Sequence, residues 1–186
     1  PRLVLKANPV YEQDGFVYFR THYYGGIKKY QWTCIPLALI GVVFTKDGKK
    51  VDINIGLKDS DPVFYVSDLL IHMAQDQMKK TLAEGITGEQ LQAVAGTHSE
   101  EGQTPKDAIM ALLKKEYGIE EEDFAAAELE LVPATKSRDV GFDRSLIASY
   151  GQDDRVCSYA NLEANLNAKP GVKTQAGLLT DKEKNE

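Results

Sequence analysis

The stretch that most constrains the fold is a continuous apolar run over residues 37–45, which a tight-turn signal follows. The turn is Lys46-Asp47-Gly48-Lys49, and residues 51–55 after it alternate between apolar and polar side chains. An Asp-Gly pair between two such runs is a strong local signal for a β-hairpin. A continuously apolar strand is typical of a strand buried on both faces. We therefore predict a β-rich first half that contains this hairpin.

Further strands are predicted at residues 16–24, 62–66 and 129–133. The first two are rich in aromatic and β-branched residues, and the third alternates between apolar and polar side chains. Residues 85–102 and 138–150 are polar or contain glycine, which is typical of loops. The acidic run at 120–123 is interpreted as the solvated first turn of a short helix.

Three helices are predicted. The first runs over residues 67–82, because large apolar residues recur there at roughly helical spacing. The second runs over 104–118, with Thr104 as the N-cap, a proline at the first helical position and Gly118 at the C-cap. The third begins at the acidic pair of residues 153 and 154 and ends before residue 170.

Composition excludes several classes of function. The chain has 186 residues, enough for one compact domain or for one domain and part of another. Its 28 Asp and Glu residues exceed its 22 Lys and Arg residues, so nucleic acid and anionic membrane surfaces are poor partners. The longest apolar run, residues 34–44, falls short of the roughly 18 residues that a membrane span needs. Cys34 and Cys157 are too far apart in sequence to indicate a disulfide framework, so we predict a reducing, cytoplasmic compartment.

The residues with possible chemistry leave two interpretations open. Asp153 and Asp154 precede a predicted helix, where acidic residues offset the helix dipole, but one carboxylate there also suits a metal site. The three histidines have no zinc-motif spacing, and His72 in its apolar context is interpreted as a partly buried structural residue. Gly25-Gly26 precedes no phosphate-binding Lys-Ser or Lys-Thr pair. The residues alone therefore indicate a soluble α/β domain of open function.

Five strings occur in a fixed order along the chain: Pro1-Arg2-Leu3; Tyr24-Gly25-Gly26-Ile27 with Trp32, Leu37, Leu39, Gly41 and Val43; Asp68 to Met73; Ser149 to Tyr159; and Leu179 to Glu183. Together they resemble the zinc aminopeptidases that include aspartyl aminopeptidase and the yeast vacuolar aminopeptidase. The resemblance implies an α/β (α+β) fold. Residues 6–135 are then a β-rich inserted dimerisation domain with flanking helices. Residues 1–5 and 136–186 are then a partial catalytic metallopeptidase domain.

The resemblance also implies roles for individual residues. Asp153 matches the aspartate that bridges two metal ions, and Asp154 is the neighbour that a one-residue shift would select. Glu183 matches the general base that takes a proton from the metal-bound water. His72 matches a histidine that reaches the active site of a neighbouring subunit and stabilises the oxyanion there. Lys184 departs from the family, which has a second, metal-binding glutamate at this position.

The implied reaction is the zinc-dependent hydrolysis of N-terminal residues from peptides, by a homo-oligomer that assembles through the inserted domain. The remaining metal ligands are expected before Pro1 and beyond Glu186, and the lack of an initiator Met agrees with an excised piece. The chain alone is therefore expected to be inactive. The alternative is a non-catalytic oligomerisation or binding module. In either case the side chains expected to be exposed at an interface are Tyr23, Tyr24, Tyr30 and Trp32.

Overall fold

An antiparallel sheet of seven strands organises the first part of the chain in the computed structural model, which describes residues 1–169, 171 and 173–180. Its strands are β1 (Arg2–Gln13), β2 (Phe16–Tyr24), β3 (Pro36–Phe44), β4 (Lys50–Ile55), β5 (Phe64–Tyr65), β6 (Ala93–Gly96) and β7 (Ala127–Pro133). The strand order is β4-β3-β5-β6-β2-β1-β7, and β3 also pairs with β7. The sheet therefore closes on itself in a barrel-like manner, with β4 alongside β3.

The predicted hairpin is confirmed. β3 and β4 are antiparallel from Leu39 opposite Ile55 to Phe44 opposite Lys50. Gly48 has a φ of 82° in the turn, which favours glycine there. Burial of β3 on both faces is confirmed for only part of its length, because Phe44 at its end is 46% exposed.

β3 comes unusually close to β7 at Gly41. This residue has a φ of 136°, and a Cβ atom placed on it would lie 1.9 Å from the carbonyl oxygen of Glu128. Both the backbone conformation and the lack of space require glycine at this position. The approach allows β3 to pair with β7 from Leu37 to Val43.

The core of this part of the chain lies inside the closed sheet. Its most fully buried large side chains are Phe19, Leu3, Leu37, Leu91, Ile119, Leu129 and Leu131. Leu131 lies at the centre, because it is opposite Leu3 of β1 and also opposite Leu39 of β3. Burying one leucine of this kind contributes about 1.5–3 kcal/mol.

The predicted helix over residues 104–118 is confirmed as α1 (Pro105–Tyr117). The Thr104 hydroxyl accepts a hydrogen bond of 3.1 Å from the N–H of Asp107, whose carboxylate accepts in return from the N–H of Thr104. Gly118 ends the helix in the left-handed conformation at φ 70°. The local capping signals therefore fix both ends of α1.

The helix predicted over residues 67–82 is wrong. The segment is a succession of turns, such as the hydrogen bond of 2.8 Å from the N–H of Met73 to the carbonyl of Leu70. Its large apolar side chains are exposed by half or more: Leu69, Leu70, Ile71, Met73, Met78 and Leu82. Most of the energy that stabilises a short amphipathic helix comes from packing its apolar face. These side chains have no such packing here, so their spacing does not produce a helix.

Two predicted loops contain secondary structure. Residues 85–102 include a 3₁₀-helix (Gly88–Gln90) and the strand β6. Residues 138–150 include a hairpin of β8 (Arg138–Val140) and β9 (Leu146–Ala148). The strands predicted at 16–24 and 129–133 are confirmed as β2 and β7, whereas the one at 62–66 is reduced to β5.

The acidic run at 120–123 is only partly solvated. Glu120 caps a 3₁₀-helix (Glu121–Ala126), which confirms the short helix. Asp123 is buried, and its carboxylate accepts a hydrogen bond of 2.9 Å from the N–H of Lys46. The Glu120 carboxylate lies 2.8 Å from the ammonium of Lys114 and 2.7 Å from that of Lys46. These hydrogen bonds, the one to Lys114 first, lower the pKa of Glu120 to about 2.

The chain divides into two compact units, Pro1–Ala134 and a second that begins at Thr135. The second unit contains the β8–β9 hairpin and α2 (Gln152–Asn167), which confirms a helix after the acidic pair. No residue from 135 onward is buried, among those whose placement is described. Within the same described residues, no helix is both long enough and apolar enough to cross a membrane.

Candidate functional site

The acidic pair lies in an irregular turn at the start of α2. Gly151 precedes it in the left-handed conformation at φ 83°, and both aspartates have backbone angles outside the helical range. The peptide bond between Asp153 and Asp154 is cis. Because both aspartates have non-helical backbone angles, the regular helix begins only after Asp154, and both carboxylates lie at its exposed N-terminal end.

The two aspartates have different partners. Asp154 accepts a hydrogen bond of 3.3 Å from the N–H of Cys157, three residues further along, which is the geometry of a helix cap. The carboxylate of Asp153 has no hydrogen bond to another residue within the described part of the chain. An ionised carboxylate only accepts, so that of Asp153 is available to a cation or a donor.

The thiol of Cys157 lies beside this pair. Its pKa is raised, first by the hydrogen bond with Asp154, then by the charge of Asp154 and the loss of solvent, and least by the charge of Asp153. A thiol is nucleophilic only as the thiolate, so this environment opposes nucleophilic chemistry at Cys157.

A small polar network lies next to the turn that contains Asp153 and Asp154. Arg155 donates a hydrogen bond of 3.3 Å to the Ser149 hydroxyl, which lies 2.7 Å from the hydroxyl of Ser137. The Arg155 side chain also folds over Gly151, where a Cβ atom would meet its guanidinium carbon at 3.6 Å. Sequence reasoning missed this network, because its members have no recognisable spacing and only the folded hairpin places Ser137 near Ser149.

His72 lies in the first unit, within the turn segment that replaces the predicted helix. The interpretation of a partly buried histidine is wrong, because His72 is exposed. Its neighbours Ile71 and Met73 are 61% and 69% exposed. Asp153 belongs to the second unit, and Glu183 lies outside the described residues.

The side chains expected at an interface are only partly exposed. Tyr23 is 44% exposed and Tyr30 is 37% exposed, and Tyr24 is intermediate. The prediction that Trp32 is exposed at an interface is wrong, because this side chain is only 5% exposed and belongs to the core. In the first unit, several large exposed apolar side chains are grouped instead at residues 69–82.

No cluster of three or more His, Cys, Asp or Glu residues that could hold a metal ion occurs within the residues described. The oxygen-only chemistry of Asp153 fits a divalent cation, but one carboxylate does not complete a zinc site, which commonly takes three or four protein ligands. Such a site therefore needs donors beyond those that the structure describes.

Comparison with known proteins relates the chain to a single family. Residues 1–183 match the family described as aminopeptidase I zinc metalloprotease (M18). A probable M18 family aminopeptidase 1 from Clostridium acetobutylicum is 51% identical over 187 residues, which is 98% of this chain and 40% of the relative. The chain therefore spans about two-fifths of the length of the curated relatives that it matches.

Solved structures agree with this match. A crystal structure of an M18 family aminopeptidase from Thermotoga maritima is 47% identical, with a TM-score of 0.85, over 91% of this chain and 38% of that one. A dodecamer of the Saccharomyces cerevisiae protein mApe1 is 17% identical, with a TM-score of 0.57, over 89% of this chain and 36% of that one. At that identity the likeness concerns the fold alone.

Proposed function

The chain belongs to the M18 family of aminopeptidase I zinc metalloproteases, and on this basis we propose that the whole protein is a zinc-dependent aminopeptidase that removes N-terminal residues from peptides. The observation that carries the proposal is the continuous match over residues 1–183, which includes the turn at Asp153. We propose that the chain alone is inactive, because its described residues hold no cluster of metal ligands.

Asp153 is the proposed metal ligand that bridges two zinc ions in the complete enzyme, and Asp154 is the proposed helix cap. The support is the contrast between the hydrogen bond from Cys157 to Asp154 and the unengaged carboxylate of Asp153 among the described residues. Zinc, when bound, acts as a Lewis acid and makes water more acidic. Asp153 contributes a negative charge held at the start of a helix.

Glu183 and His72 have the proposed roles in proton transfer and charge stabilisation. Glu183 takes a proton from the attacking water and gives it to the leaving amine. His72 donates a hydrogen bond to the oxyanion that develops in the active site of a neighbouring subunit. The exposure of His72 supports this role, because an exposed imidazole is accessible to a second copy of the chain.

We further propose that residues 6–135 are an inserted domain that builds subunit contacts, and that 1–5 and 136–186 belong to the catalytic domain. The division of the chain after Ala134 supports the second boundary. The exposed apolar residues at 69–82 support assembly, because monomeric proteins rarely expose large apolar patches. The free cysteines Cys34 and Cys157 support a cytoplasmic location.

The test uses the whole protein, an aminoacyl-nitroanilide substrate and zinc analysis. Asp153→Asn is expected to lose bound zinc and to lower kcat at least about 100-fold. Mutating a residue that only hydrogen-bonds to a metal ligand already lowers activity or metal affinity by about 10–100-fold. The matched control Asp154→Asn keeps the size of the side chain and is expected to retain zinc, with kcat within about tenfold. The reverse result would assign the metal to Asp154, and a zinc-loaded wild type without turnover would refute the proposed function.

His72 has its own test in the assembled enzyme. His72→Ala is expected to lower kcat by about 100-fold at unchanged zinc content, since loss of one oxyanion donor costs about 10²–10³. Met73→Ala is the matched control at the adjacent exposed position. An unchanged kcat in His72→Ala would show that the oxyanion role is wrong.

A further inference from the structure

The open end of the β8–β9 hairpin lies beside the turn that carries Asp153. The last backbone pair at this end joins Arg138 and Ala148. Ser137 and Ser149 are the next residues outward, and their hydroxyls lie 2.7 Å apart. That separation is typical of an O–H···O hydrogen bond. The bond therefore closes the hairpin at the point where the chain leaves β9 and enters the turn.

Two side chains of the turn reach back to this hairpin. Nη1 of Arg155 donates a hydrogen bond of 3.3 Å to the Ser149 hydroxyl. Nε2 of Gln152 donates a hydrogen bond of 3.3 Å to the backbone carbonyl of Ile147 in β9. Residues 152 and 155 lie on either side of the two aspartates. The segment that contains Asp153 is therefore attached to the hairpin at both of its ends.

Arg155 also contacts the turn at Gly151. A Cβ atom on Gly151 would lie 3.6 Å from the guanidinium carbon of Arg155 and 3.7 Å from two of its nitrogens. The N–H of Arg155 donates a hydrogen bond of 3.3 Å to the carbonyl of Gly151. Arg155 thus contacts Gly151 through both its side chain and its backbone. These contacts define the path of the chain between residues 151 and 155, on which Asp153 lies.

The Asp153 carboxylate takes no part in these contacts among the described residues, so its position follows from the backbone that carries it. We infer that Arg155, Ser149 and Gln152 are positioning residues, which hold the Asp153 carboxylate in place for a metal ion. The inference rests on the proposed function, because that proposal makes Asp153 the metal ligand.

The charge of Arg155 gives the inference a distinctive sign. A cation two residues from a metal ligand repels the metal ion, so removing only that charge should strengthen zinc binding. Removing a side chain that holds the ligand in place should instead weaken zinc binding. The direction of the change in zinc affinity therefore separates positioning from a simple effect of charge.

The first test is Arg155→Met in the whole protein, which removes the charge and the hydrogen-bond donors of a long side chain. We expect the dissociation constant for zinc, measured by competition with a chelator, to rise about 10-fold. Arg155→Lys keeps the charge but loses the planar group that lies against Gly151, so its zinc affinity should fall between those of Arg155→Met and the wild type.

The matched control for this test is Arg144→Met. Arg144 lies between β8 and β9, and its guanidinium is 3.8 Å from the carboxylate of Asp139. The control removes the same charge from the same unit without touching the contacts of Arg155. Its dissociation constant for zinc is expected to stay within about twofold of the wild type.

The second test asks whether Arg155 and Ser149 act as one unit. Ser149→Ala alone is expected to weaken zinc binding about 10-fold. Combined with Arg155→Met, it should weaken binding by no more than about twofold beyond Arg155→Met alone, because both changes break the same hydrogen bond. Ser145→Ala is the matched control, since the Ser145 hydroxyl donates a hydrogen bond of 3.1 Å to Asp143 within the same hairpin.

The third test measures the contact in metal-free whole protein, by hydrogen–deuterium exchange. The peptide that covers residues 149–155 is expected to exchange faster in Arg155→Met than in the wild type. The peptide of α1, in the first unit, is expected to exchange at the rate of the wild type. This pattern distinguishes a local loosening of the turn from a general loss of structure.

Four results would overturn the inference. Zinc binding could be unchanged or stronger in Arg155→Met, or weakened equally in Arg155→Met and Arg144→Met. The double variant could show the full product of the two single losses, or exchange could rise in α1 as much as at residues 149–155.

Failure of the proposed function gives a different pattern. If Asp153→Asn keeps its zinc, the assignment of the ligand is wrong and the inference falls with it, whatever the Arg155 variants show. If the wild type binds zinc but has no turnover, the proposed activity is wrong. In that case the zinc affinities of the Arg155 and Ser149 variants still decide whether these residues position Asp153.

Discussion

The two units of the chain differ in what holds them together. The first unit has buried residues on six of its seven described strands. Its first and last strands pair at Leu3–Leu131 and Val4–Glu130, which joins residues 128 and 126 positions apart. The second has a hairpin and a helix, but no buried residue among those described. Large apolar side chains of α2 are 52–70% exposed: Val156, Tyr159, Leu162 and Leu166. Local signals are thus sufficient to specify elements in both units, whereas a core exists only in the first.

The length of the relatives helps to interpret why the two units differ in burial. The chain covers about two-fifths of the M18 proteins that it matches, so most of such a protein lies outside it. We interpret the exposed apolar side chains of α2 as a surface that other parts of the whole protein cover. The first unit has a core of its own and does not depend on such cover.

Separating the units should give the largest effect. A fragment of residues 1–134 is expected to unfold cooperatively, because it contains the closed sheet and the core. A fragment of residues 135–186 is expected to show no cooperative transition, because its described part buries no side chain. Circular dichroism during thermal unfolding measures both. A cooperative transition in the second fragment would remove the distinction between the units.

Matched leucine truncations should give the next largest effect in the intact chain. Leu131 is fully buried, so Leu131→Ala is expected to lower the free energy of unfolding by about 2–5 kcal/mol. Leu166 is 70% exposed, so Leu166→Ala is expected to change it by less than about 0.5 kcal/mol. Urea unfolding followed by far-ultraviolet circular dichroism measures both, since it reports on α2 as well as on the closed sheet, whereas the single tryptophan, Trp32, lies in the core of the first unit. Equal costs would contradict the assignment of the core to the first unit.

The smallest effect concerns the ion pairs of Glu120 and depends on pH. Its pKa in the folded state is about 2, below its ordinary value of 4.5, so folding favours the carboxylate. The resulting stability is fully present above about pH 4.5 and is lost as the pH falls toward 2. Glu120→Gln is expected to be slightly less stable than wild type at pH 7 and equal to it near pH 2. The effect stays small because solvent and salt screen such pairs.

Urea unfolding of Glu120→Gln at pH 7 and at pH 3, with and without 1 M NaCl, measures this dependence. Glu116→Gln, at an exposed position on α1, is the matched control. A difference between Glu120→Gln and wild type that grows below pH 4 would contradict the assignment.

Elements with strong local signals could be predicted from the sequence. The Asp47-Gly48 turn and the caps at Thr104 and Gly118 bias the backbone within a few residues, and all three form as expected. The failures have a non-local cause. Apolar spacing at 67–82 predicts a helix only if the stripe finds a surface to pack on, and the first unit offers none. β6 has small residues without a strand pattern, and it exists because β2 and β5 pair with it.

The candidate site was predictable to a similar degree. The acidic pair was visible in the sequence, and the resemblance to a family gave it a role. Only the folded structure distinguishes the two aspartates, because Asp154 accepts a hydrogen bond from the N–H of Cys157 and Asp153 does not. The network of Arg155, Ser149 and Ser137 joins residues up to 18 positions apart, and no periodicity in the sequence marks it. Sequence patterns predict the local backbone conformation of a residue well, but they predict poorly which distant residues it contacts.

The pairing of β1 with β7 also limits how early the protein can fold during synthesis. The ion pair of 3.2 Å between Arg2 and Glu130 joins residues 128 positions apart. A ribosome that adds about 5–20 residues per second needs roughly 6–26 s to reach Glu130 after it has added Arg2. During that interval Leu3, Leu5 and Val10 lack their final cover, which exposes the nascent chain to chaperones and to aggregation.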